Sequence, residues 1–509
     1  MAYRRFTSIS LSARSGGRVR GALAEEHSAI GRLPDTGIVE IKQAGTATAD
    51  RQDHCANMDQ EADHGNKPSD VDSEAALRAE VEEHREISQQ RRWVFPRAAV
   101  VGGLAGLVAL LFRAGLTGAD SLRMGLISWA HAMPAVGWVF PALLGLVGAG
   151  IAVALTTRCD CGAAGSGIPY VEAALHGYRK LDWKRLLPVK FFGGIIAIGS
   201  GLTLGREGPT IQMGAAIGEA VSGGLGVSGQ ERFTLITAGA GAGLAAAFNA
   251  PLSGLTFVLE EIRHDFEPIV FGAVLVASIV ATIVARVGAG QFPVFTVPSY
   301  PVPPLGSLPA FAVLGVVAGL LGVAFNKGLL TFVELYSRVP ARFTVAAAAL
   351  TGAAIGVIGW FSPILIGSGN SLAESVLQGR MLFSTILIFF AMRFLLTVSS
   401  YGTGAPGGIF APLLVLGALI GLGIGQAAHL VTPSLVPIPA AFAVVGMAAY
   451  FVAVVRAPLT GIVLITEMTG TYSYMLPLLV SCFCAYAVAE YLKQAPIYES
   501  LLERDLKRG

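Results

Sequence analysis

Apolar and polar positions divide the chain into two regimes. From Met1 to about Asp72 no apolar period is present, only scattered Arg, Glu, Asp, His and Gln, and residues 1–72 read as a disordered tail. Ser73 to Trp93 is rich in helix formers with Ser73 placed to cap, and predicts a surface helix leading into the first span. From Val94 to about Tyr491 apolar stretches dominate. The longer ones are Ala98–Phe112, Trp138–Leu155, Ile269–Val287, Leu308–Val323, Phe343–Phe361, Phe383–Val398 and Leu476–Leu492. They predict membrane-crossing helices, which need about 20 residues each. Shorter ones, Pro209–Val221, Pro251–Leu259, Pro412–Leu422 and Pro458–Ile465, end at Gly or Pro and read as too short to cross. Broken helices at membrane depth are tolerated only when buried in protein or lining a wet cavity, and many transporters place their substrate sites there.

The pattern repeats. Gly165-Ser166-Gly167 returns as Gly367-Ser368-Gly369. Pro209 followed by Gly214 and Gly218 returns as Pro412 followed by Gly417 and Gly421. Ala250-Pro251-Leu252-Ser253-Gly254 returns as Ala457-Pro458-Leu459-Thr460-Gly461, with Glu260 and Glu467 each nine residues after the Pro. The offsets are 202, 203 and 207 residues. Two homologous halves are expected, roughly 95–290 and 305–495; spacing alone leaves their relative direction open.

Composition sharpens the class. Of 509 residues 53% are hydrophobic and 14% charged, against about 25% charged in soluble proteins. A net charge of +2 gives no basic face for nucleic acid. Cys55, Cys159, Cys161, Cys482 and Cys484 read as incidental thiols; neither a disulfide framework nor a metal site is expected. The tail has early arginines but no apolar core, so it is read as an unstructured cytoplasmic segment and not as a secretory signal. Arg85, Arg91 and Arg92 precede the first span, and Lys493, Arg504, Lys507 and Arg508 follow the last. Both termini are therefore expected in the cytoplasm.

Three segments share one design, glycines and then a proline: Gly165-Ser166-Gly167-Ile168-Pro169, Gly205-Arg206-Glu207-Gly208-Pro209 and Gly407-Gly408-Ile409-Phe410-Ala411-Pro412. Proline suits the first helical turn because its missing N–H would have no partner there. The amides before it point outward along the helix dipole, which makes an anion site. One such motif is more simply a turn between packed helices. Three in one membrane domain, two at equivalent places of the repeat, point to an anion pathway. A carboxylate at such an end, Glu207, can occupy the place of the anion until it is protonated.

The ordered set GSGIP, GREGP and GGIFAP, with AAAFNAPLSG at 245–254, VRAPLTG at 455–461 and PIY at 496–498, resembles the CLC chloride channel/transporter family over about residues 75–505. The resemblance implies an all-α polytopic fold with an inverted internal repeat, broken and tilted helices, and a homodimer with one pathway per subunit. Residues 73–509 would form the transport domain, with a cytoplasmic helix in 496–509. It implies that Ser166, with Gly165, the amides of Ile409 and Phe410, the Tyr498 phenol, and Arg206 and Gly208 of the second motif, surround chloride. Glu207 would be the gate and Glu261 the proton relay of a Cl⁻/H⁺ antiporter; a passive channel on the same fold is the alternative. Chloride and protons are the transported ions and no cofactor is implied. Ser166 favours chloride, since nitrate-preferring members carry Pro there. Tyr170 and Gly470 depart from the family pattern and are expected to tune the vestibule. The chain stops eleven residues past Tyr498, which matches prokaryotic members without CBS domains and implies a bacterial inner membrane.

Other classes lack their chemistry. No HExxH helix, Ser/His pair or Walker-type loop is present, so neither a membrane-embedded enzyme nor an ATP-driven pump is expected. His131, His176, His264 and His429 stand singly. A sodium-coupled carrier would not explain three glycine–proline nests with a gating acid. Of the neighbouring acids Glu260 and Glu261 at most one can face a given path, and Glu467 is read as structural.

Overall fold

The computed structural model describes the backbone of residues 70–508 apart from 291–294, 296 and 299, and of these the side chains from Arg92 onward except those of Ala289 and Arg508. The expected tail lies outside the described residues but for its last three, which are helical. Leu77–Gly509 forms one compact unit.

Among the described residues the chain is helical, with no strand. The helices are α1 (Asp70–Ala130), α2 (Val139–Arg158), α3 (Ile168–Leu175), α4 (Trp183–Gly199), α5 (Glu207–Gly224), α6 (Gly229–Phe248), α7 (Pro251–Phe257), α8 (Pro268–Ala289), α9 (Leu308–Ser337), α10 (Thr344–Phe361), α11 (Asn370–Leu377), α12 (Phe383–Gly402), α13 (Phe410–Val431), α14 (Ala441–Val455), α15 (Pro458–Thr469), α16 (Met475–Tyr491) and α17 (Ile497–Arg508). The helix expected over 73–93 runs without a break into the first span as α1, with Pro96 inside it. Eight of the described helices are long and apolar enough to cross a membrane. Seven correspond to the longer stretches read from sequence.

The eighth corrects the sequence reading. Pro412–Leu422 is not a short element but part of the 22-residue α13. Its glycines do not end the helix. A methyl group on Gly417 would strike the Gly446 carbonyl, one on Gly421 the Phe442 carbonyl, and one on Gly425 the Pro439 carbonyl. These glycines, four apart, form the face on which α14 lies. Small residues let membrane helices approach closely, where lipid offers no hydrophobic gain for association. The first half does the same: Gly214 of α5 meets Gly239 of α6, and Gly243 meets Thr210. α14 is buried along its whole length, and α6 from Thr234 onward. These two equivalent helices form the centre, and α2, α9, α10 and α12 leave apolar side chains exposed around it.

The halves are inverted. Elements that sit on a two-fold axis must meet their own repeat equivalents, and three do. Gly145 of α2 packs on Gly352 of α10, with Pro141 against Gly356, so the pair runs antiparallel. Gly205 and Gly408 exchange backbone hydrogen bonds of 2.7 and 2.8 Å in an isolated antiparallel bridge. α7 and α15 cap each other: Glu467 accepts from the amides of Leu252 and Ser253 at 3.1 and 2.8 Å, and Glu260 from those of Leu459 and Thr460 at 2.9 and 2.7 Å. Each acid near the end of one helix holds the start of the other, which only antiparallel helices allow. The structural reading of Glu467 is thereby met, and the nine-residue spacing from Pro to Glu acquires its reason. The halves part company just beyond. Val258–Arg263 is a π-helical turn, whereas α15 stays regular to Thr469 and ends at Gly470 with φ +66°, a left-handed position that suits glycine.

Candidate functional site

The three glycine–proline segments converge. Gly167 takes φ +82° and starts α3, with Pro169 in its first turn. Arg206 and Ile409 precede α5 and α13. The Gly205–Gly408 bridge ties the last two starts together. Gly208 lies against Ser166 so closely that a Cβ would come within 2.7 Å of the serine carbonyl and 3.0 Å of its Cα. A side chain on Gly408 would meet the Gly208 amide. Glycine at these positions therefore lets the three N-termini close on one point. The first amides of each helix have no intrahelical acceptor, and their dipoles add at the junction.

Glu207 sits at that point, 2% exposed. Its Oε2 accepts from the Ala411 amide at 3.3 Å and is the nearest atom to where a Cβ on Gly205 would be. Arg206 is a weaker partner: its Nε is 3.9 Å from Glu207 Oε1, while its other nitrogen donates to the Ala247 carbonyl at 3.1 Å. The carboxylate is therefore held by the start of α13 more than by the adjacent guanidinium, which is committed to α6. Phe410 is fully buried, its ring 4.6 Å from that of Phe451, 5.5 Å from Phe257 and 5.8 Å from Phe248. This aromatic nest fixes the first turn of α13.

Ser166 is 1% exposed and accepts from the Ile168 amide at 3.4 Å. Tyr498, at the start of α17, is fully buried and its hydroxyl has no hydrogen-bond partner among the described residues. Glu207, Glu261 and Tyr401 all lie within electrostatic reach of that phenol. Glu261 is buried in the π-helical turn, while Glu260 is spent on capping α15. The two neighbouring acids thus have separate tasks. Glu172, Glu260 and Glu499 place further negative charge around Glu261. Ser166, Gly165, Gly208, Glu207, Ile409, Phe410 and Tyr498 are brought together, with Glu261 within electrostatic reach of Tyr498.

Three residues escaped the sequence reading. Lys190 of α4, fully buried, donates to the carbonyls of Ala163 and Gly165 at 3.0 and 2.7 Å. Arg393 of α12, also fully buried, donates to those of Leu365 and Gly367, both at 2.8 Å. They are repeat equivalents, each holding the loop before its Gly-Ser-Gly turn. A lone cation in each of two apolar runs, 203 residues apart, was the available signal. The third is Tyr401, whose hydroxyl reaches Ser166. Tyr170 fastens the same loop: its ring covers Gly162 and its hydroxyl donates to the Lys180 carbonyl at 2.8 Å. Among the described residues no group of His, Cys, Asp and Glu is placed to hold a metal.

An all-helical fold with inverted halves, and helix starts gathered on a buried carboxylate, defines a membrane transport protein of the inverted-repeat class. The chain belongs to the voltage-gated chloride channel family, whose model matches residues 148–490. It is 42% identical over 418 residues to the H⁺/Cl⁻ exchange transporter ClcA of Vibrio parahaemolyticus, covering 81% of this chain and 89% of that one. The ClcA of Salmonella paratyphi A is 37% identical over 421 residues, covering 81% and 88%. Among solved structures, a slow cyanobacterial Cl⁻/H⁺ antiporter matches with a TM-score of 0.79 at 38% identity, over 81% of this chain and 98% of that one. A eukaryotic CLC transporter shares the fold, with a TM-score of 0.69 at 23% identity over 83% and 75% of the two chains.

Proposed function

We propose that this protein exchanges chloride for protons across the membrane. Chloride would sit where the starts of α3, α5 and α13 meet, taking the Ser166 hydroxyl, the amides of Ile409 and Phe410 and the Tyr498 phenol in place of water, with Gly165 and Gly208 giving room and Arg206 adding positive potential. Neutral donors and helix ends suit transport, because binding must be weak enough for release. The observation that carries the reading is the Glu207 carboxylate accepting from the Ala411 amide: an anionic side chain already occupies a place built for an anion. Protonation would free Glu207 to leave and chloride to enter. Glu261, buried within electrostatic reach of Tyr498, would pass the proton to the other side. The relatives named as H⁺/Cl⁻ exchange transporters support the same assignment.

The reading extends to a bacterial inner membrane with both termini in the cytoplasm, supported by the basic residues flanking the first and last spans. It extends also to a homodimer through α8 and α16, whose Ile279, Ile283, Leu476 and Phe483 leave apolar surface exposed. Reconstitution into vesicles tests the core of it. An imposed chloride gradient should drive protons uphill; chloride flux with no accompanying proton movement would make the protein a passive channel.

A further inference from the structure

One side chain touches Ser166 directly and has no part in the function just proposed. Tyr401 closes the last turn of α12 and is 6% exposed. Its phenol oxygen accepts from the Ser166 amide at 3.5 Å, and its O–H donates to Ser166 Oγ at 3.4 Å. The Ile168 amide donates to the same Oγ at 3.4 Å. Gly165 permits this approach: a Cβ there would lie 3.1 Å from the Tyr401 hydroxyl.

A serine hydroxyl has two acceptor lone pairs and one proton. Here both lone pairs are engaged, one by Tyr401 and one by the Ile168 amide. The proton is the only valence left, and it must turn away from both donors. In a buried loop, that turns Ser166 as a donor toward the open side of the junction. Without the phenol, the serine O–H could rotate and give its proton to a nearby backbone carbonyl, an alternative open to serine hydroxyls generally. The fully buried, unpartnered hydroxyl of Tyr498 lies within electrostatic reach of Tyr401. Two donors close to Tyr401, one of them held by it, thus lack an acceptor among the described residues.

We infer that Tyr401 is a positioning residue for chloride: its hydroxyl locks the Ser166 proton outward as an anion donor. The inference rests on reading Ser166 as an anion ligand, and its test separates the two. Full-length Tyr401→Phe, Ser166→Ala and the double variant are purified, and chloride is titrated by calorimetry. Removing the one oxygen should weaken chloride binding about three- to ten-fold, the worth of one neutral hydrogen bond. The double variant should bind no more weakly than Ser166→Ala alone, since there is then no hydroxyl to orient. The thermal midpoint of Tyr401→Phe in chloride-free buffer should fall only modestly, since the Ser166 amide loses one long 3.5 Å bond, and the double variant separates that loss from the effect on chloride. Wild-type affinity in Tyr401→Phe, or multiplied losses in the double variant, overturns the positioning role. Parental affinity in Ser166→Ala instead sinks the anion-ligand reading itself.

Discussion

Glu207 and Ala411, 204 residues apart in the chain, are joined by a 3.3 Å hydrogen bond from the backbone of one half to the carboxylate of the other. The acid belongs to α5, yet the amide that holds it belongs to α13. The proposed gate would therefore be a property of both halves at once.

Glu207→Gln removes the charge and keeps the shape. A neutral amide no longer competes as an anion at the helix starts. In the parent, chloride flux should rise as pH falls, because protonation releases the carboxylate. In the variant the dependence should be flat and proton movement lost. Vesicle efflux measured between acid and neutral pH checks both; a variant that keeps the parent's steep profile would remove Glu207 from the gate.

Glu261→Gln should separate the two ions. Its carboxylate is not needed to cap α15, a task performed by Glu260. Chloride flux should persist while chloride-driven proton uptake disappears. Simultaneous recording of both ions decides it, and unaltered proton uptake would place the relay elsewhere.

The reciprocal caps make a prediction about stability. Glu467 accepts from two amides and from the Ser253 hydroxyl at 2.6 Å, and Glu260 likewise from the Thr460 hydroxyl at 2.8 Å. Glu467→Ala leaves the start of α7 uncapped and should cost about 1–3 kcal/mol. Thermal unfolding in detergent should show it, with the anion affinity of the surviving folded protein nearly intact.

Lys190→Met and Arg393→Met should diverge although the two cations are repeat equivalents. Arg393→Met strips the donor from the carbonyls of Leu365 and Gly367, whereas Lys190→Met strips it from that of Ala163 while the Gly165 carbonyl still accepts from the Gly407 amide; each buried carbonyl left unpaired costs about 1–3 kcal/mol. Only the Lys190 loop continues into Ser166, so only Lys190→Met should also weaken chloride binding. Calorimetry alongside thermal unfolding distinguishes them; equal effects on binding would mean the second loop also reaches the anion.

Much of the site was legible because its chemistry lies in contiguous motifs. Ser166, Glu207 and Phe410 each sit beside glycines that only a close approach of helix starts requires. The repeat was legible through identical words at one offset, and its inversion was not, since direction appears only when Glu260 and Glu467 are seen to cap each other's helices. Glycine misled once: Gly417, Gly421 and Gly425 looked like stops, but a four-residue spacing marks a packing face within a continuous helix. Tyr401 carried no local signal at all. Its role depends on one oxygen meeting Ser166 from 235 positions away, a coincidence that no periodicity encodes.

The Gly205–Gly408 bridge, the Gly145–Gly352 crossing and the mutual grip of Glu260 and Glu467 stitch the two halves along their shared axis. Rocking one half as a rigid body, as other inverted-repeat carriers do, would shear all three seams together. Rotation about a single Glu207 side-chain torsion shears none. Turnover should therefore proceed with little change in the outline of the molecule, and cross-links that staple the halves together should leave it running.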